Sequence, residues 1–143
     1  MLFRSRAMSS TETAQTYEVE AAFEAEVPTR VLTLTEARDW LEAICHAEDL
    51  DPPTLTSARL RKGFEAAALP DVWCILVADV APTQHTVLHE LAHLACANCG
   101  HGREFRTHLV RLLRRHVSLE HAAHLHAKFV DAGLSIDPFA ATR

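Results

Sequence analysis

The stretch Thr83-Gln84-His85-Thr86-Val87-Leu88-His89-Glu90-Leu91-Ala92-His93-Leu94-Ala95 decides the reading of this chain. Its apolar residues recur at helical spacing. Val87, Leu88, Leu91, Leu94 and Ala95 fall on one side of a helix, while His85, His89, His93 and Cys96 fall on the other. One face can then enter a core while the other faces a cleft. Positions four apart stand one above the other on a helix, so His89 and His93 can offer two imidazoles to one metal ion. Glu90 lies about 100° further round, close enough to touch a water beside that metal but poorly placed to be a ligand. In the His-Glu-x-x-His pattern the histidines hold zinc and the glutamate is the general base. Pro82-Thr83 makes a helix start with Thr83 as N-cap, and Asn98-Cys99-Gly100 makes a stop.

Two protein ligands leave a catalytic zinc site incomplete, since three are usual with a fourth position open to water. The next histidine is His101, in Gly100-His101-Gly102-Arg103-Glu104-Phe105. Glycines on both sides allow a tight turn that brings His101 back toward the first helix, and a helix starting near Gly102 would hold that turn. The four cysteines read separately. Cys45 and Cys74 sit in apolar surroundings as small core residues. Cys96 and Cys99 form one CxxC, which cannot complete a four-cysteine zinc site; Gly100 after Cys99 excludes the c-type haem pattern. A redox pair, or a thiolate replacing His101 on zinc, are alternatives to the plainest reading of two reduced thiols near a helix end.

The metzincin spacing HExxHxxGxxH is excluded, because Cys96 and Cys99 occupy its glycine and third-histidine positions. His89-Glu90-Leu91-Ala92-His93, followed after a short loop by His101-Gly102-Arg103-Glu104-Phe105, resembles the SprT-like group of zincin metallopeptidases over roughly Trp73 to Leu113. It is also similar to small uncharacterised HExxH metallohydrolases of actinobacteria and their phages. The resemblance implies an α+β fold: a single, minimal gluzincin-like domain with a small β-sheet, an HExxH helix and flanking helices. It makes His89, His93 and His101 the zinc ligands and Glu90 the catalytic base, with a peptide or protein as substrate. No cysteine-rich ribbon follows His101 in this sequence, which weighs against the DNA-linked role of many SprT-like proteins.

The chain of 143 residues, 48% hydrophobic and 23% charged, suits one globular domain, expected over residues 13–143 behind a tail without order at 1–12. No apolar run approaches the ~20 residues of a membrane span, and Met1 to Ser10 lacks the apolar stretch of a secretory signal; a cytoplasmic protein is expected, with Met8 an alternative start. Thr11 to Glu26 reads as a helix, Val31-Leu32 as a short strand, and Thr33 or Thr35 as the cap of a helix to about Glu48 with Trp40, Leu41, Ile44 and Cys45 inward. Leu55 to Arg61 reads as an outer strand. Asp71 to Asp79 reads as a strand covered on both faces, as core sheet or as a shelf for substrate.

Two helices follow the His101 turn. Arg103 to His116 places Phe105, Leu109, Leu112 and Leu113 inward and Arg103, Arg106, Arg111 and Arg114 on a basic outer face. That face is either solvated, met by the acidic N-terminal helices, or in contact with nucleic acid. The net charge of −5 argues against strong general DNA binding. Ser118 caps a last helix that Gly133 ends; its His121, His124 and His126 read as scattered surface residues. Candidate stabilisers of a tetrahedral oxyanion are His85, His108 and Arg103. The leading expectation is a zinc-dependent metallopeptidase. A zinc-binding interaction module without turnover and a nucleic-acid-associated protease are the alternatives.

Overall fold

Side-chain caps set where the helices begin. Thr33 Oγ1 accepts from the Glu36 backbone N–H at 3.0 Å and the Glu36 carboxylate accepts from the Thr33 N–H at 2.9 Å, a reciprocal capping box. Thr83 accepts from the Thr86 N–H, and Ser118 from the His121 N–H. The computed structural model describes residues 11–143, so the expected N-terminal tail lies outside it except for Thr11 and Glu12, which open the first helix. In chain order the elements are α1 (Thr11–Glu26), α2 (Leu34–Glu48), β1 (Thr54–Ser57), β2 (Ala66–Leu69), β3 (Cys74–Val77), α3 (Gln84–Ala95), α4 (Arg103–His116) and α5 (Leu119–Asp131). Short 3-10 turns occupy Pro70–Val72 and Phe139–Thr142. No described helix is long and apolar enough to cross a membrane.

The α+β expectation is met by five helices and a three-stranded mixed sheet. Its order is β1-β3-β2, with β1 parallel and β2 antiparallel to the central β3. Ile75 and Val77 of β3, with their partners Ala68 and Ala66 of β2, are buried in the same core as Val87, Leu88 and Leu91 of α3. Ala66, Ala67 and Ala68 are small enough to let α3 approach β2 closely. Helices α4 and α5 pack on each other; α4 also packs on α3 and α5 on α1. Helix α3 is therefore enclosed from both sides, and every residue from Val87 to Leu94 is buried, the polar face included.

Several expectations need correction. The strand expected over Asp71 to Asp79 splits: a 3-10 turn ends at Trp73, which takes a left-handed φ of 52°, and only Cys74 to Val77 pair as strand. It is not covered on both faces, since Cys74 and Leu76 are half-exposed opposite the buried Ile75 and Val77. The outer strand is shorter than Leu55 to Arg61, and β2 was not foreseen, because an alanine run favours helix in isolation. Val31-Leu32 forms only a single bridge, Val31 to Thr83, that ties this segment to the start of α3. Helix α3 stops at Ala95, ahead of the expected stop signal.

The basic face of α4 is also different from the expectation at one position. Arg106 does not point outward; it is fully buried. Arg111, Arg115 and His116 converge on Glu48 at the end of α2, at 3.1, 3.5 and 2.7 Å. Arg103 pairs with Asp137 at 2.6 Å, and the Arg114 guanidinium lies over the Phe139 ring. The face thus meets an acidic N-terminal helix and the C-terminal segment. On α5, His121, His124 and His126 have separate partners in Pro28, Glu26 and Asp137. Replacing the exposed Thr33 with alanine removes half of the capping box; urea unfolding should show a loss of about 1 kcal/mol with an unchanged slope.

Candidate metal centre

Two of the expected ligands stand one turn apart on α3, with the His89 and His93 ring centres separated by 4.9 Å. The His101 ring lies 5.4 Å from the first and 4.6 Å from the second. His93 Nε2 and His101 Nε2 approach to 3.0 Å, and one donor nitrogen from each of the three histidines lies within 4.8 Å of the others. A tetrahedral zinc with bonds of about 2.0–2.1 Å holds its donor nitrogens about 3.3 Å apart, so modest ring rotation completes the set. All three side chains are buried, with Phe105 stacked on the His93 ring at 4.4 Å as an apolar wall. Three convergent, buried imidazole donors are a set that suits a borderline ion such as Zn²⁺.

His101 reaches the helical pair through a constrained loop. After Ala95 the chain turns through Cys96 and Cys99, whose N–H donates to the Cys96 carbonyl at 3.1 Å, and Gly100 takes a left-handed φ of 56°. Cys96 and Cys99 are joined as a disulfide with Cα atoms 5.5 Å apart. The expectation of two reduced thiols is thereby replaced, and the sulfurs, bonded to each other, do not act as thiolate ligands. Arg106 then fixes the turn. Its Nη1 donates to the His101 carbonyl at 2.5 Å, Nε donates to the Ser135 carbonyl at 2.9 Å, and Nη2 pairs with Glu12 at 2.8 Å. Thr16 of α1 adds a long hydrogen bond to the same His101 carbonyl.

Sequence reasoning missed the carboxylate behind the site. Glu20, buried on α1, accepts from His89 Nδ1 at 2.7 Å and from His85 Nε2 at 2.6 Å, both on Oε1. A histidine that donates Nδ1–H to a carboxylate is fixed in the tautomer that presents Nε2 to a metal. The buried residues of α1 are Thr16, Glu20 and Phe23, so no apolar stripe marked Glu20 as inward-facing. Burial alone would raise the Glu20 carboxyl, but the two histidines outweigh it and hold Glu20 well below the usual carboxylate range. Burial alone would lower His85, yet hydrogen bonds to Glu20 and Glu24 push it up to about 9. The His85 ring is bracketed by two carboxylates that favour its protonated form.

Glu90 is buried beside the triad and lines a cleft of about 640 Å³ with Tyr17, Glu20, Ala66, Thr86 and His89. The proposed oxyanion stabilisers fall in different places. His85 lies in the cleft wall but gives its ring nitrogens to Glu20 and Glu24. His108 lines a separate cavity with Leu91 and Glu48, on the opposite side of α3, and burial first of all pushes it down. Arg103 is turned to Asp137. Protein-family models, curated proteins and solved structures offer no match to this chain. Glu20→Gln keeps an acceptor for His89 but removes the charge. Zinc affinity, read by competition with a chromophoric chelator, should fall about 10–100-fold while far-ultraviolet circular dichroism stays unchanged.

Proposed function

We propose that this chain is a zinc-dependent metallopeptidase built on a minimal zincin-like domain, as its resemblance to SprT-like proteins implies. The observation that carries the reading is the convergence of the buried His89, His93 and His101 imidazoles beside a cleft that His89 and Glu90 line. A purely structural zinc site has no use for a glutamate in this register or for a cleft beside one of its histidines. His89, His93 and His101 hold the metal, and Glu20 orients His89. When bound, zinc supplies Lewis acidity that brings the pKa of water to about 7 and polarises a carbonyl. Glu90 accepts the proton of the attacking water and passes it to the departing amine.

The sheet supports a peptide as the substrate. Strand β2 is an edge of the sheet, and Ala66 lines the cleft together with Glu90. The Ala78 N–H donates to the Glu65 carbonyl at 2.8 Å, which sets the antiparallel alternation so that Ala66, at the cleft, turns its own N–H and C=O away from β3, while Ala68 is fully buried. An extended substrate main chain lying in the cleft would meet this strand at Ala66, beside Glu90. The nucleic-acid alternative draws little from α4, whose arginines are held by Glu12, Glu48, Asp137 and Phe139.

Zinc-loaded protein should contain one zinc per chain and cleave labelled casein, with activity lost to a chelator and restored by zinc. Glu90→Gln should retain the metal while turnover falls by about 10²–10⁴-fold. Full activity in that variant would remove Glu90 from the chemistry, and absence of zinc in the parent would remove the metal centre itself.

A further inference from the structure

The disulfide sits where a covalent bond acts on the candidate metal centre rather than on the fold at large. Cys96 closes α3 just after His93, its N–H donating to the Ala92 carbonyl at 3.0 Å. The Cys99 carbonyl accepts from the Gly102 N–H at 3.1 Å, so Cys99 opens the turn in which His101 stands. The bond therefore ties the end of the helix that carries His89 and His93 to the turn that carries His101. With a sequence separation of 3, it closes a loop too short to constrain an unfolded chain strongly, so its effect is local. Cys96 and Cys99 are half-exposed, and Ala97 and Asn98 between them are exposed, so a thiol in solution meets the bond without unfolding the chain. The two free thiols are elsewhere, Cys45 buried on α2 and Cys74 half-exposed on β3.

Resting on the metal-centre part of the reading given above, we propose that Cys96 and Cys99 form a thiol–disulfide exchange site for a dithiol reductant, and that the state of this bond sets how tightly His101 is held for the metal. Two electrons and two protons pass from the dithiol to the protein. One thiolate of the dithiol attacks the Cys96 sulfur, the S–S bond breaks, and the Cys99 sulfur leaves with the bonding pair and takes up a proton. The second sulfur of the dithiol then attacks the first, releasing Cys96 as a thiol and the reductant as its own disulfide. Glu104 Oε2 lies 3.5 Å from Cys99 Sγ, so its negative charge turns an incoming thiolate toward Cys96 and accepts the Cys99 S–H once formed. After reduction Arg106 still holds the His101 carbonyl, but backbone hydrogen bonds alone join the turn to α3. Oxidation orders this loop before the metal arrives, so the disulfide form binds the metal more tightly. Linkage is reciprocal, and bound metal favours the disulfide by the same factor.

The test compares the full chain in its disulfide and dithiol forms with a variant carrying both Cys96→Ser and Cys99→Ser. A phosphine, removed before measurement, should raise the free thiols of the folded protein from two to four. Zinc affinity, read by competition with a chromophoric chelator, should then fall about 10-fold and recover on reoxidation. The double variant should hold the weaker value whether or not it has been treated. A second readout follows from the linkage: equilibrated in a glutathione buffer, the pair should be about 10-fold harder to reduce with zinc bound, a potential about 30 mV more negative. Equal zinc affinity in the two forms would overturn the proposal and leave the metal centre standing. So would a bond that the phosphine opens only in urea, or zinc that eases reduction, since zinc would then be held by the freed sulfurs. A disulfide form that takes up no zinc would remove the metal centre and the proposal with it. Zinc affinity that follows the bond in a chain that cleaves no casein would sink the peptidase reading and bear the exchange site out.

Discussion

The structure depends on burying a helix whose polar face carries imidazoles. Helix α3 lies between the sheet and the remaining helices, so His85, His89, Glu90 and His93 leave water together with Leu88 and Leu91. Each buried polar atom left without a partner costs about 1–3 kcal/mol, comparable to what one core side chain contributes by burial. Partners from α1 and from the His101 turn therefore belong to the folding problem as much as to the chemistry. Glu20 answers for two of the histidines at once, and Glu20 and Glu24 together flank the His85 ring. In this arrangement the helix at the start of the chain cannot be detached from the metal centre without leaving ionised and polar groups buried alone.

Arg106 meets the same constraint from the other side. A fully buried guanidinium tolerates burial only when its N–H groups are satisfied, and breaking such a set costs several kcal/mol, whereas an exposed pair such as Arg30 with Glu36 contributes about 0–1 kcal/mol. Its partners come from α1, from the loop after α5 and from the His101 carbonyl. A single side chain on α4 thus links both ends of the described chain to the backbone of His101. The disulfide between Cys96 and Cys99 shortens the other half of the path from His93 to His101. The ligand loop is held at both ends, by a covalent bond before His101 and by a charge-assisted hydrogen bond on it.

What was legible in the sequence follows from range. The HExxH register, the Gly100 turn, the Ser and Thr caps and the inward face of α4 are local, and periodicity or cap chemistry reports them directly. Ala66 to Leu69 became a strand only because β3 was there to pair with it, and nothing within those residues says so. Arg106 looked like one more member of a basic stripe; its burial is fixed by Glu12, Thr16 and Ser135, which lie 29 or more positions away. Glu20 and Tyr17 sat in a helix of good formers with no apolar stripe to orient it. The motif marked His89 and His93, but the residues that orient and surround them come from the helix the motif does not mention.

That division has a chemical logic. The motif helix fixes which atoms would meet a metal, since the spacing of His89, Glu90 and His93 is set by the backbone alone. It cannot set the tautomer of His89 or the local dielectric. Those properties belong to groups approaching from outside α3. Here they come from one face of α1, where Tyr17, Glu20 and Glu24 recur at helical spacing along the cleft wall. The spacing that on α3 gathers imidazoles gathers, on α1, a ring, a brace and a second carboxylate. Two helices packed at the same place can therefore shape one candidate metal centre together, one by its motif and one by side chains that read as ordinary surface until the two meet.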